Sequence, residues 1–457
     1  MRARVSPVVL AFGLAGLLPT LAARPARADE ARLLKGPYLT GIGATAADVR
    51  FELGGAAAAS VDVGLDGATA TRTIADPAAS TGAVHDVRLT GLEPGKAYAY
   101  AVRAGGAVVG KGRFVTAPPD DSPAPVTFLV YGDDRSDPSA HATVVRAVRA
   151  MPSDFLVNTG DVVEDGGSAS DWQAFFDVEG PVLRERALFL AIGNHELYDD
   201  NAGANFARYF GYPDPAGTPK PYGTVRWGDV RLFFLNGMHD WSSGEERQWL
   251  ERELGKADAE PALRWRIAVV HHGPWSSGPH GANGKLLDAH VPQLLLQHGV
   301  DLLLAGHDHI YERGDGDGLK YVISGGGGAP LYRVAQVVPT TRKAESSYHF
   351  VEVRASTDGV RVVAHRADGT IADTCGFAKG QPWDCDPPSA SRSPGAAAGM
   401  PAAASPSPEG APTSSQGSSR CGCSLPGAAR AGSLAAVGAA IAGLALVLAR
   451  RRARRRG

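Results

Sequence analysis

The sequence predicts two folded units in series, a short all-β domain followed by an α/β domain. Two observations carry this. Residues 33–117 run in short, partly alternating apolar stretches divided by Gly, Asp and Pro turn signals, the period-two pattern of half-buried strands. From residue 126 onward, apolar runs alternate with helical patterns, which argues for strands joined through helices, with chemistry at the strand ends.

In the first unit, ADVRFELG, ASVDVGLD, HDVRLTGL and AYAYAVRAGG read as strands. LTGLEPGKAYAYAV places Tyr98 four residues after Pro94, which resembles the tyrosine corner of a fibronectin type III-like sandwich. Its expected role is that of a scaffold. The Pro-rich FVTAPPDDSPAP marks a linker. In the second unit, VTFLVYGD, DFLVNTGD and ALFLAIGNHE predict strands, with helices through HATVVRAVRAM and around SDWQAFFDV. GTVRWGDVRLFFLNG predicts a hairpin and GEERQWLERELGKAD a helix. RWRIAVVHHGP, LLDAHVPQLLLQHG and VDLLLAGHDH predict strand, helix and strand. At about 250 residues this unit can bury a full core as one domain.

The ends of the chain predict its compartment. Residues 1–28 carry Arg2 and Arg4, then VVLAFGLAGLL, then ARPARA before Asp29, the layout of a cleaved signal peptide. Residues 387–420 are dominated by Pro, Ala, Gly and Ser and read as a disordered linker. Residues 421–457 hold Cys421, Cys423, the apolar stretch 432–449 and an Arg cluster. About eighteen weakly apolar residues just suffice to cross a bilayer, with the arginines cytoplasmic. The same order resembles a MYXO-CTERM sorting tail, which implies cleavage and surface attachment near the cysteine; a plain membrane anchor is the other reading.

Cys375 and Cys385 are the two remaining cysteines, and in an exported chain they are expected to pair. The expected organisation is then 1–28 signal peptide, 29–119 β domain, 120–372 α/β domain, 373–386 disulfide-closed extension, 387–420 linker and 421–457 tail. The whole chain has 46 basic and 48 acidic residues. Residues 1–28 and 420–457 contain twelve of the arginines and no acid, so the body between them keeps 34 basic residues against 48, a net charge of −14. Such a surface repels nucleic acid backbones, so no nucleic acid partner is expected and a phosphate-bearing substrate must be captured locally.

Five apolar runs end in ligand-type residues: YGDDR at Asp133, TGD at Asp161, GNHE at Asn194 and His195, HHGP at His271 and His272, and GHDH at His307 and His309. One such ending is a common turn, but five in series with oxygen and nitrogen donors and no thiolate predict a metal centre. Glycine precedes the ligand at four of them, which predicts sharp backbone turns there. Hard oxygen and imidazole donors suit Fe, Mn or Zn.

In this order the motifs resemble those of the calcineurin-like metallophosphoesterases, and GHDHIYER is similar to the last motif of the purple acid phosphatase branch. The resemblance covers residues 126 to about 370. It implies two packed mixed sheets flanked by helices, two transition metals at one edge, and phosphate-ester hydrolysis by a metal-bound hydroxide. By the same resemblance, Asp133 would hold the first metal and Asp161 would bridge both. Asn194 and His272 would hold the second, His307 the second and His309 the first. His272 is preferred to His271 because it stands two residues before Pro274. His195 would protonate the leaving group, with Glu196 as its orienting partner.

Two positions depart from the family. Arg135 stands where His is frequent, and Glu164 stands where purple acid phosphatases carry Tyr, so the iron-phenolate colour should be absent. Glu164 could be a ligand, Arg135 and Glu164 could pair, or Arg135 could reach the substrate phosphate. His271 and His280 are candidates for the phosphate pocket or ordinary surface histidines, and His290 and His298 read as structural helix residues. SGGGGAPL lacks the P-loop lysine pattern and reads as a tight turn behind the site. GDGDG reads as a solvated turn rather than a calcium loop. The expected function is an exported, surface-held dimetal phosphoesterase, acid-phosphatase-like toward monoesters. A phosphodiesterase and a non-catalytic surface adhesion module are the alternatives, and the oligomeric state is open.

Overall fold

The computed structural model describes residues 31–76, 84–200, 202–239, 241–242 and 244–385. The expected signal peptide, linker and tail lie outside these. Among the described residues, no helix is long and apolar enough to cross a membrane.

The first unit has seven strands: β1 (Leu33–Thr40), β2 (Ala46–Leu53), β3 (Ala59–Leu65), β4 (Arg72–Ala75), β5 (Val84–Thr90), β6 (Ala97–Ala104) and β7 (Ala107–Val115). They form a β1-β2-β5 sheet and a β4-β3-β6-β7 sheet, all antiparallel. Period-two burial turns Val49, Phe51, Val61, Val63, Val87 and Leu89 into the core between them. The Tyr98 hydroxyl accepts the Glu93 N–H at 2.9 Å, closing the corner before β6. This unit docks on the second through Tyr38, whose ring packs 4.9 Å from Phe176 and whose hydroxyl donates to the Tyr209 carbonyl.

The second unit opens with β8 (Val126–Tyr131), α1 (Pro138–Ala150), β9 (Phe155–Asn158), α2 (Ala169–Leu183), β10 (Leu188–Leu190) and α3 (Ala204–Phe210). A two-residue ribbon, β11 (Tyr212–Pro213) with β12 (Pro219–Lys220), leads to the hairpin β13 (Gly223–Trp227) and β14 (Val230–Leu235). Then come α4 (Glu245–Asp258), β15 (Trp265–Val270), α5 (Gly284–Asp288), α6 (Val291–Gln297), β16 (Leu302–Ala305), β17 (Tyr311–Gly316), β18 (Leu319–Ser324) and β19 (Thr341–Glu345). The last strands are β20 (His349–Ala355), β21 (Val360–Arg366), β22 (Ile371–Phe377) and β23 (Asp384–Cys385).

Two mixed seven-stranded sheets result, ordered β10-β9-β8-β20-β21-β22-β23 and β13-β14-β15-β16-β18-β17-β19. Alternation decides the layers. Phe128 and Val130 of β8 point into the core between the sheets with Phe155, Phe234, Ile267 and Val351. Leu129 and Tyr131 point the other way, under α1 and α2, with Val144, Trp172 and Phe175. The far face of the second sheet carries Leu250 and Leu254 of α4 and Leu295 of α6. The α/β/β/α order is therefore written in the residue parity of each strand.

Two expectations need correction. The single helix through LLDAHVPQLLLQHG is two, broken at His290, which adopts φ 53°. Pro292 has no N–H to give a continuing helix, so it opens α6 instead. His290 therefore lies between the helices, and His298 caps α6 with its Nδ1 2.6 Å from Asp258 Oδ2. The boundary drawn between residues 372 and 373 falls inside β22, a full member of the first sheet.

Cys375 and Cys385 are disulfide-bonded, tying β22 to β23. Replacing both by Ala should lower stability by about 2–3 kcal/mol for a loop of this length, read as a fall of several degrees in the calorimetric midpoint.

Candidate metal centre

The five strand ends converge. Asp133 follows β8, Asp161 follows β9, and Asn194 and His195 follow β10, all in the first sheet. His271 follows β15, and His307 and His309 follow β16, in the second. One layer thus supplies oxygen donors and the other imidazoles.

The backbone is bent to do this. Asp133, Asp161 and His307 adopt φ of 59°, 58° and 72°, a region that costs a non-glycine residue about 1–3 kcal/mol and persists where surroundings dictate it. Of the four glycines before ligands, Gly160 alone has positive φ. Gly193 and Gly306 serve by close approach: a Cβ there would collide with Asp161 Oδ1 in the first case and meet Asp133 Oδ2 at 2.6 Å in the second. The turning is done by the ligand residues themselves.

Asp161, His271 and His307 each present one donor atom, all within 4.8 Å of one another. His271 is fully buried, and its Nδ1–H donates to the Thr159 carbonyl at 2.9 Å. That leaves Nε2 3.3 Å from Asp161 Oδ1 and 3.1 Å from His307 Nδ1. His309 Nδ1–H donates to the Pro330 carbonyl at 2.7 Å, leaving Nε2 3.6 Å from Asp133 Oδ1. Both are the arrangement by which a second partner fixes the tautomer of a ligating imidazole. Asp133 accepts the His307 N–H on both carboxylate oxygens.

The choice of His272 over His271 is corrected. Ile267 and Val269 face the inter-sheet core, and His271 continues that parity; His272 continues the outward parity of Ala268 and Val270. His272 Nε2–H donates to the Gly281 carbonyl at 3.1 Å, and its ring packs 4.2 Å from that of His307. The orienting partner of His195 is also different. Its Nδ1 lies 2.6 Å from the main-chain carbonyl of Glu164, so Nε2 faces the site 3.9 Å from Asp161 Oδ2. Glu196 is fully buried and accepts the N–H groups of Asp161, Val162 and Gly193, locking two strand-end loops together.

Of the three readings for Arg135 and Glu164, the pair is the one formed, with Arg135 Nη1 2.9 Å from Glu164 Oε2. His280 stands beside the centre, its ring 4.3 Å from that of His307 and its Nδ1 2.9 Å from Asp308 Oδ1. Residues 324–331 are not a tight turn: Ser324 ends β18, and the loop after it bends at 327–329, with the Gly327 and Ala329 N–H groups donating to the Gly132 and Asp133 carbonyls. Sequence reasoning missed Tyr332, whose ring stacks on His309 at 4.0 Å, and Tyr198, half exposed at the rim with its ring 4.5 Å from that of His195. Neither carries a spacing signal. It also missed Asp134, His141 and Glu179, a buried charged cluster behind Asp133.

Two donor atoms test whether metals fit. Asn194 Oδ1 and His309 Nε2 are buried and have no hydrogen-bond partner. Buried polar atoms are ordinarily paired, and an oxygen and an imidazole nitrogen left open beside acidic ligands are what cation binding requires. The electrostatics agree. Burial alone would lower His271, but the carboxylates of Asp161, Asp133 and Glu196 prevail and push it up to about 9. Burial and the neighbouring histidines push His307 far down, and burial pushes His309 down to about 4. His307 and His309 are thus neutral at neutral pH, while His271 must lose its proton before it can ligate. Apparent affinity for Zn²⁺ should therefore rise with pH up to about 9 and then level off, as calorimetric titration of the metal-stripped protein would record.

Comparison with known proteins agrees with this geometry. Residues 127–311 match the model of the family described as Calcineurin-like phosphoesterase. An uncharacterized protein of Mycobacterium tuberculosis is 27% identical over 285 residues, covering 53% of each chain. Probable purple acid phosphatase 20 of Arabidopsis thaliana is 27% identical over 245 residues, covering 51% of this chain and 56% of its own. The chain thus spans about half the length of these relatives. In fold it is similar to a purple acid phosphatase from yellow lupin (Lupinus luteus) seeds, with a TM-score of 0.64 at 19% identity over 76% of this chain and 74% of that one. It is also similar to PhoD, with a TM-score of 0.58 at 12% identity over 78% and 92%. The second unit thus contains the stretch that matches the calcineurin-like phosphoesterase model, and the catalytic class these relatives support is metal-dependent phosphoric ester hydrolysis.

Proposed function

We propose that the chain is an exported dimetal phosphoesterase acting on phosphate monoesters. The observation that carries the reading is the pair of open buried donor atoms, Asn194 Oδ1 and His309 Nε2, at strand ends that also carry the Asp161–His271–His307 cluster. Asp133, Asp161, Asn194, His271, His307 and His309 would hold two metals, with Fe, Mn or Zn suited to these donors. When bound, the metals supply Lewis-acid activation of water and of the phosphoryl oxygens. The chain's own residues do the rest. His195 has its Nδ1 tied to the Glu164 carbonyl and would pass a proton from Nε2 to the departing oxygen. Glu196 holds the Asp161 and Gly193 loops in register for it.

The purple acid phosphatase names among the relatives support a monoester substrate. Export is supported by the leader-like residues 1–28 and by the Cys375–Cys385 disulfide. Attachment through residues 421–457, by anchor or by sorting, belongs to the same reading. Fibronectin type III-like kinship of the first unit is supported by its two-sheet order and the Tyr98 corner. Elemental analysis of the purified chain, with hydrolysis of 4-nitrophenyl phosphate and its bis ester, tests the reading. About two transition metals per chain and faster monoester turnover are expected. Faster bis-ester turnover would make the enzyme a diesterase. No metal and no turnover, even after reloading with Fe, Mn or Zn, would make it a binding module.

A further inference from the structure

We infer that Arg135 binds the phosphoryl group of the substrate, and that Glu164 occupies its guanidinium as an exchangeable stand-in for that anion. The inference rests on the phosphoesterase reading above. The Arg135 side chain is only 12% exposed and follows the strand end that carries Asp133. One edge of its fork is spent: Nη1 donates to Glu164 Oε2 at 2.9 Å and to Ser136 Oγ at 3.1 Å. The other edge is only partly spent: the guanidinium also meets the Tyr332 hydroxyl, but Nε is buried without a hydrogen-bond partner, 3.5 Å from Asp161 Oδ2 of the candidate metal centre.

The two edges differ in how firmly they are held. The Glu164 side chain is 53% exposed, and an ion pair with an exposed partner is weakly held. An unsatisfied buried donor is unfavourable, and an incoming oxygen would relieve it. A phosphoryl group offers two oxygens at the spacing of a guanidinium edge, and it gains more from that fork than an exposed carboxylate does. A body of net charge −14 repels anions at a distance, so a cation set inside the site supplies the capture that the surface cannot.

The pair therefore has two halves with opposite effects on anion binding, which a purely structural ion pair does not. Calorimetric titration of the metal-loaded full chain with inorganic phosphate reads this directly, with metals per chain measured on every sample. Arg135→Gln should weaken phosphate about 10- to 100-fold, the worth of a charge-assisted bond. Arg135→Lys, which keeps the charge without the fork, should fall between it and the wild type. Glu164→Gln should tighten phosphate about two- to fivefold by freeing the guanidinium. Metal content should stay unchanged in all three. Weakening by both Gln substitutions would overturn the inference and leave a structural pair. Loss of a metal in Glu164→Gln would overturn it in favour of Glu164 as a ligand. Wild-type protein that carries two metals but neither binds phosphate nor hydrolyses 4-nitrophenyl phosphate would overturn the phosphoesterase reading itself.

Discussion

Asp161→Asn is expected to leave a folded protein with less than half of its metal and with phosphoesterase turnover reduced about 10³-fold or more, the equivalent of several kcal/mol of lost Lewis-acid stabilisation. The fold should survive because the hydrogen bonds survive. Asp161 Oδ1 accepts the His195 N–H at 3.0 Å, and an amide oxygen can do the same. The chemistry should not survive. The amide nitrogen would replace Oδ2, the oxygen that faces Arg135 at 3.5 Å and His195 at 3.9 Å, and it cannot accept a cation. His271 would also lose the largest attraction that raises it. Elemental analysis, circular dichroism and turnover of 4-nitrophenyl phosphate check the three parts separately. Full metal content with lost turnover would remove Asp161 from the ligand set.

His195→Ala is expected to lower turnover about 10²- to 10⁴-fold, the range for a positioned general acid, while metal content stays at the wild-type value. Its main-chain N–H, which serves Asp161, is untouched by the substitution. Its ring is held from two sides, by the Glu164 carbonyl at Nδ1 and by the Tyr198 ring 4.5 Å away. The effect should shrink for substrates whose leaving group needs no proton, such as 4-nitrophenolate, compared with alkyl phosphates. An equal loss of metal would instead place His195 among the ligands.

How much of this was legible in the sequence depended on whether the signal was periodic. The strand and helix order of the second unit was legible because Phe128 and Val130 alternate with Leu129 and Tyr131, and a two-layer core needs both faces apolar. The donor residues were legible because each closes such a run. What failed was local. Choosing His272 by its distance to Pro274 ignored the alternation of Ile267 and Val269, which already aimed His271 inward. The break at His290 was signalled by Pro292, which apolar periodicity alone passes over. Glu196 was singled out within GNHE but with the wrong partner, and Tyr332 not at all, because the contacts of both arise only when separate loops meet.

The division of donors between the two layers has a further consequence. Oxygens come from the first sheet and imidazoles from the second, and no ladder hydrogen bond joins the sheets. The distance between the two donor families then depends on the hydrocarbon sandwiched between them, Phe128, Phe155 and Val351 against Phe234 and Ile267, and on the hydrogen bonds that cross the seam from His271 to the Thr159 carbonyl and from the His307 N–H to Asp133. The apolar interior is thus a shim under a coordination site. A methylene added or removed there would be expected to shift the spacing of the candidate donor atoms across the seam.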